Sequence, residues 1–233
     1  MGLFILLLGA PGAGKGTQAD LLSKALQLPH VSSGELFRAA QEAQSELGRQ
    51  VQGYLARGEL VPDSVTIAMV AERLAQPDCA RGVVLDGFPR TIEQARALDQ
   101  VLSERGERVA IAAYLRVSEP VLLERLSGRW TCAKCQAVYH LPHKPPRVTG
   151  KCDVCGGELY QRADDTPETH RRRIEVYLTQ TAPLVQLYRE RHLLVEIEGE
   201  ARIEDVQSRV LAAVQSAARQ QRLEGGRCKK CRD

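Results

Sequence analysis

The run LFILLLGAPGAGKGT, residues 3–17, constrains the fold more than any other part of this 233-residue chain. Six apolar residues lead straight into a glycine-rich turn, and the turn opens a helical pattern over residues 15–27. Strand, glycine loop and helix in that order separate a real phosphate-binding loop from a chance match. Gly9, Gly12, Gly14 and Gly16 allow backbone dihedrals and close approaches that a Cβ would block. Successive N–H groups can then point at phosphate oxygens, assisted by the helix N-terminus, while Lys15 adds a point charge. The loop departs from the generic G-x-x-x-x-G-K-[ST] pattern in one place: Gly16 follows the lysine, and the hydroxyl comes next on Thr17.

Further apolar runs at Val83–Asp86, Val109–Val117 and Leu193–Ile197, with a shorter one near Pro29–Ser32, predict the other strands. Helical patterns at 91–103 and 119–127 lie between them, which predicts an α/β fold with a five-stranded parallel sheet. One long helix is expected from Thr166 to His192, capped by Asp165 or Thr166 and kinked at Pro183. A last amphipathic helix covers about 203–221. Two stretches break the alternation and read as insertions: residues 33 to about 76 hold helical segments without a strand, and 128 to about 163 hold little helical periodicity. The polar tail RLEGGRCKKCRD from Arg222 predicts disorder.

Composition narrows the classes. Hydrophobic residues at 43% and charged residues at 26% suit a globular protein, and a net charge of +3 is too mild for a dedicated nucleic-acid binder. The first apolar run is too short for a membrane span, and Leu6 stands where a myristoylation signal needs Ser or Thr. A soluble, cytoplasmic protein is expected. Nothing reads as an apolar interface stripe, so a monomer is expected as well.

Asp86 ends an apolar strand in RGVVLDGFPRT, the position from which phosphate-loop folds hold magnesium or its waters. Arg90 follows at the carboxyl end of the sheet, where ligands bind in open α/β folds. Arginine recurs where the core meets its insertions, at Arg38, Arg125, Arg129, Arg162 and Arg171–Arg173. Guanidinium groups grip phosphate oxygens in pairs of hydrogen bonds, and the transition state of phosphoryl transfer spreads negative charge over such oxygens. The five histidines show no catalytic spacing.

The cysteines point to a metal. Cys132 and Cys135 form one C-x-x-C pair, Cys152 and Cys155 a second, with sixteen residues between the pairs. That spacing fits a structural zinc site. Four thiolates close the coordination shell and leave no position for water, which argues for structure over metal catalysis. Zinc suits soft sulfur ligands, and iron fits the same geometry. A module this small buries too little apolar surface to hold itself together, whereas a structural zinc supplies on the order of 10 kcal/mol. Cys79 reads as a small core hydrophobe, and Cys228 with Cys231 as either an unliganded tail pair or a two-sulfur half-site.

Taken together, GAPGAGKGT, VSSGELFRAA, GELVPD, LDGFPRT, RLSGRW, the four cysteines, LYQRADD and TAPL, in this order over about residues 3–215, resemble the adenylate kinases in their long-lid, zinc-binding form. The resemblance implies a P-loop nucleoside monophosphate kinase fold and magnesium-dependent transfer between ATP and AMP, giving two ADP. It implies a core of 1–31, 62–127 and 166–221, an AMP-binding insertion at 32–61 and a lid at 128–165. Gly12, Ala13, Gly14, Lys15, Gly16 and Thr17 would surround the ATP phosphates, with Arg125 and Arg129 on the donor side. Ser33 and Gln94 would contact the AMP base, and backbone near Val61 and Gly87 would line its pocket. Arg38 and Arg90 would grip the AMP phosphate. Arg125, Arg129, Arg162 and Arg173 would close on the migrating group, Asp164 and Asp165 would order the lid arginines, and Asp86 would stand in the magnesium water shell. The sequence departs from the family's usual pattern at Ser33, where threonine is common, at Glu35, and at Glu198-Gly199 near the donor base. A different monophosphate acceptor or GTP as donor is the nearby alternative. The contrasting class is a nucleotide switch whose zinc module binds nucleic acid through Lys134, Lys144, Arg147 and Lys151, but the region's one tryptophan and two tyrosines form no stacking platform.

Overall fold

The apolar runs are apolar on both faces because the sheet they form is covered on both. The computed structural model describes residues 2–162 and 164–229. In chain order the elements are β1 (Leu3–Leu8), α1 (Lys15–Leu26), β2 (His30–Ser32), α2 (Ser33–Glu42), α3 (Glu46–Arg57), α4 (Asp63–Leu74), β3 (Gly82–Asp86), α5 (Ile92–Ser103) and β4 (Val109–Arg116). There follow α6 (Glu119–Ser127), β5 (Arg129–Cys132), β6 (Val138–His140), β7 (Leu159–Tyr160), α7 (Pro167–Val176), α8 (Pro183–Glu190), β8 (Leu194–Glu198) and α9 (Ile203–Lys229).

The main sheet is parallel throughout, in the order β2-β3-β1-β4-β8. Period-two alternation divides β1 between two cores. Ile5 and Leu7 pack with Leu22 of α1 and Val206, Val210 and Val214 of α9. Phe4, Leu6 and Leu8 pack on the opposite face with Val70 of α4, Leu98 of α5 and Leu184 and Tyr188 of α8. Every strand of this sheet therefore delivers its carboxyl end to one edge, where the loops after β1 and β3 and the start of α2 meet.

The two insertions have their own small cores. Phe37, Val51 and Val61 bury themselves among α2, α3 and the start of α4. In the second insertion β6-β5-β7 form an antiparallel sheet whose buried cluster is only Cys132, Tyr139 and Cys152, with Trp130, Ala137 and Leu159 against it. Such a core is too small to hold a module without a staple.

Two boundaries differ from the sequence reading. The helix expected over 166–192 widens one turn ahead of Pro183: Tyr177–Thr181 form a π-helical turn, in which Ala182 N–H donates to Tyr177 O at 2.8 Å, five residues back. Pro183 has no N–H, and its ring crowds the carbonyl four residues earlier, so the preceding turn widens. The last helix, expected to end near residue 221 ahead of a disordered tail, continues to Lys229. Cys228 falls on that backbone, and Cys231 lies outside the described residues.

Candidate active site

The phosphate loop sits between β1 and α1. Gly12 has φ 86°, and a Cβ there would stand 2.9 Å from the Leu122 carbonyl oxygen, so the position requires glycine twice over. α1 has Gly14 as N-cap, no side-chain cap and no acidic residue in its first turn, which leaves its N-terminal N–H groups for an anion. Lys15 reaches back over the loop, its Nζ donating to Gly9 O at 2.8 Å and Ala10 O at 3.0 Å. Burial lowers its pKa to about 8, against the pull of Asp86 and with the help of Arg90 and Arg129. A phosphate would reverse that pressure and restore the full charge.

Asp86 ends β3 beside this loop; its Oδ2 lies 3.4 Å from where a Gly16 Cβ would be. Burial alone would raise its pKa, but His30, Lys15 and Arg90 outweigh burial and hold it below the ordinary carboxylate value. His30 opens β2 and faces carboxylates on two sides: Nδ1 is 2.9 Å from Asp20 of α1, and Nε2 is 3.7 Å from Asp86. Burial works against its charge, yet the bond to Asp20 and the nearby charges of Asp86 and Glu35 raise its pKa to about 10. His30 is the clearest charged residue beside the site that sequence reasoning missed.

At the other end of the cleft, Arg90 is locked in place. Its Nε donates to Gly87 O at 2.8 Å and its backbone N–H to Gln94 Oε1 at 2.8 Å. Gln94 Nε2 and the Thr91 hydroxyl each donate to Asp63 at 2.8 Å. Ser33 Oγ donates to the same Gly87 carbonyl at 2.6 Å. Gly87 has φ 72°, and a Cβ there would come within 2.9 Å of Arg90 Nη2.

The second insertion closes the third side. Asp165, 1% exposed, accepts from Arg129 Nε at 3.0 Å and Arg173 Nη1 at 3.3 Å, with His170 Nε2 at 3.4 Å; Arg173 also pairs with Asp164. Arg125 Nη2 donates to Gly199 O at 3.0 Å. Arg38 Nε and Arg162 Nε are buried and have no hydrogen-bond partner among the described residues. Burial first, then mutual repulsion with Arg38 and Arg129, lowers the pKa of Arg162 to about 10; burial, Arg129, Arg90 and Arg162 lower that of Arg173 to about 9. Cations crowded this way, with too few acids between them, call for a polyanion.

Loop and insertions enclose one cavity of about 1110 Å³. The predicted residues from Gly12 to Thr17, Asp86, Gly87, Asp164 and Arg38, Arg90, Arg125, Arg129, Arg162 and Arg173 line it, whereas Arg171 and Arg172 are exposed and do not. Ser33, Val61 and Gln94 do not: they are buried just behind the wall, and the Ser33 hydroxyl and both ends of the Gln94 amide are engaged with protein. Where the second insertion meets α6, His140 and His143 stack at 4.7 Å, and His143 Nε2 pairs with Glu124 at 2.9 Å. Neither histidine stands out in the sequence, because both gain meaning only from α6.

The four insertion cysteines converge. All their sulfurs lie within 4.8 Å of one another, with Cys132–Cys155 and Cys135–Cys152 each at 3.5 Å. A tetrahedral ion with bonds of about 2.3 Å places sulfurs about 3.8 Å apart, so the residues fit a thiolate-bound metal. Lys134 N–H and Val154 N–H each approach a sulfur at 3.4 Å, as knuckle turns do.

Known proteins place the chain. The family model for adenylate kinase matches residues 7–193. An adenylate kinase of Moorella thermoacetica is 55% identical over 195 residues, covering 84% of this chain and 90% of the relative. One from Thermosipho melanesiensis is 49% identical over 207 residues, covering 89% and 97%. One from Streptomyces avermitilis is 49% identical over 211 residues, covering 90% and 96%.

Proposed function

The chain belongs to the adenylate kinase family, and on that premise we propose how its residues divide the work. The reaction is the reversible transfer of the terminal phosphoryl group of ATP to AMP, giving two ADP. One bond breaks, between the γ-phosphorus and the oxygen bridging it to the β-phosphate. One bond forms, to a phosphate oxygen of AMP. That oxygen is largely unprotonated at neutral pH, since a phosphate monoester loses its second proton near about pH 6. No protein base is needed, and catalysis is positioning plus electrostatic stabilisation.

ATP phosphates rest on the N–H groups of the loop from Gly12 to Thr17, with Lys15 on the transferring group and Arg125 and Arg129 on the donor side. Arg38 and Arg90 hold the AMP phosphate. Gly87 forms the AMP wall, and Ser33, Gln94 and backbone near Val61 back it from behind, where Gln94 fixes both the Arg90 backbone and Asp63. Arg162 and Arg173 meet the charge that develops between the two sites, and Asp164 and Asp165 keep Arg173 in place. Asp86, an ionised oxygen donor inside the cleft, suits a hard cation and would hold magnesium through its waters. Magnesium, when bound with ATP, neutralises phosphate charge.

The core is assigned to 1–31, 62–127 and 166–221, the AMP insertion to 32–61 and the lid to 128–165. Cys132, Cys135, Cys152 and Cys155 would hold a structural zinc, which would staple the lid, and a closed lid would exclude water, a competing acceptor. No helix among the described residues is long and apolar enough to cross a membrane, and a cytoplasmic monomer is the proposed state.

The observation that carries this reading is one cavity in which a phosphate loop, a strand-end aspartate and six arginines from three parts of the chain converge. The test is ADP formation by Lys15→Met and Arg90→Ala, with AMP, CMP, UMP and GMP compared as acceptors. Each variant should lose about 100-fold or more in turnover while keeping its unfolding midpoint, as for other preorganised donors. Full turnover by either variant refutes the assignment.

A further inference from the structure

We propose that the Tyr139 hydroxyl is an outer-sphere hydrogen-bond donor to the Cys152 sulfur and sets how tightly the lid holds its metal. The inference rests on the four-sulfur metal site and extends it to a residue outside the ligand set.

The direction of the hydrogen bonds carries the argument. Tyr139 is buried in the lid, 3% exposed. Its oxygen accepts the Asp153 backbone N–H at 2.7 Å and lies 3.3 Å from Cys152 Sγ. A phenol has a single proton. A metal-bound Cys152 sulfur carries no proton to give, so with the Asp153 N–H already accepted by the oxygen, the phenol proton is the one directed at sulfur. Cys152 also receives the Val154 N–H at 3.4 Å, so two donors converge on one sulfur. That arrangement suits a thiolate bound to a cation and leaves a protonated thiol poorly placed. Cys152 is 4% exposed, whereas Cys135 and Cys155 face solvent. Of the two buried sulfurs, Cys132 and Cys152, the second is the one that Tyr139 holds.

The bond also connects the metal to the cleft. Tyr139 sits in the middle of β6, directly opposite Trp130 of β5. Trp130 follows Arg129, whose guanidinium is bonded to Asp165. Outer-sphere partners of metal ligands typically change affinity 10- to 100-fold when removed.

The test uses the full chain, wild type and Tyr139→Phe, which keeps the ring and removes the hydroxyl. Zinc affinity is read by competition with a chromophoric chelator, and the thiolate-to-metal charge-transfer band is read after cobalt(II) substitution. The variant should bind zinc about 10- to 100-fold more weakly than wild type. Its cobalt band should move to lower energy, since a sulfur without the donor gives up charge more readily. Equal affinity with an unmoved band overturns the inference. Should the variant lid fail to fold, cadmium-113-loaded wild type decides: a Tyr139 hydroxyl proton coupled to cadmium supports the bond, and a freely exchanging, uncoupled one overturns it. Wild type that takes up none of the three metals overturns the four-sulfur site itself, and the inference with it.

Discussion

His30→Gln should make the chain's stability respond differently to pH, with a sign fixed by geometry. Between Asp20, Asp86 and Glu35 the folded imidazole has a pKa of about 10, against an ordinary 6.5. Below 6.5 both folded and unfolded chains carry the proton, and the full stabilisation is present. Between 6.5 and about 10 only the folded chain holds it, so stability declines with rising pH at up to about 1.4 kcal/mol per pH unit. Across the whole window the ceiling is about 5 kcal/mol. Asp20 is 48% exposed, and screening there brings the expected contribution to about 2–3 kcal/mol, the range of a charged hydrogen bond. Glutamine keeps a donor near Asp20 without the titratable charge. Urea unfolding at pH 6, 8 and 10 should show wild type ahead by that amount at pH 6, with the gap closing toward pH 10. Groups shared by both chains cancel in the difference. A gap of constant size at all three pH values would refute the reasoning, because it would make His30 a packing residue only.

Two further outcomes follow from the lid and the AMP wall. Removing metal with a strong chelator should shift Trp130 emission to the red and reduce ADP formation while the helical signal of the core persists; unchanged emission after verified metal loss counts against the staple. Thr91→Ala removes the N-cap of α5, where Thr91 Oγ1 accepts the Gln94 N–H at 3.1 Å, and the bond to Asp63. It should cost about 1–2 kcal/mol and raise KM for AMP more than for ATP, as measured by unfolding and steady-state kinetics.

The parts of the molecule legible in the sequence are those written in local pattern. Leu3–Leu8 and Val83–Asp86 announce buried parallel strands because an unbroken apolar run has no other comfortable place, and the glycine loop is a short-range device. The cysteine pairs likewise carry their geometry in their spacing. His30 carries none: its partners come from α1 and β3, and the charge it holds exists only once the sheet has assembled. Gln94 is a similar case. Family resemblance places it against the AMP base, but its amide is spent on Arg90 and Asp63, a network drawn from α4 and the loop before α5. Pro183 signalled a disturbance in the helix, though a lone proline does not say whether the chain will bend or widen, and here the turn before it widens.

That widened turn has a geometric consequence. Each residue of an α-helix advances the side-chain direction by about 100°, so in an unbroken helix Arg173 and Leu184, eleven positions apart, would point almost the same way. One of them faces the phosphate cavity, and the other is sealed in the core beneath the sheet. The extra residue taken up at Tyr177–Thr181 offsets the two halves by about a quarter turn, and both demands are met by one continuous rod. Leu178 is exposed, and its deletion would turn the widened turn back into an ordinary α-helical one: ten steps of about 100° leave Arg173 and Leu184 in their present relative directions, so the core contacts of α8 would persist.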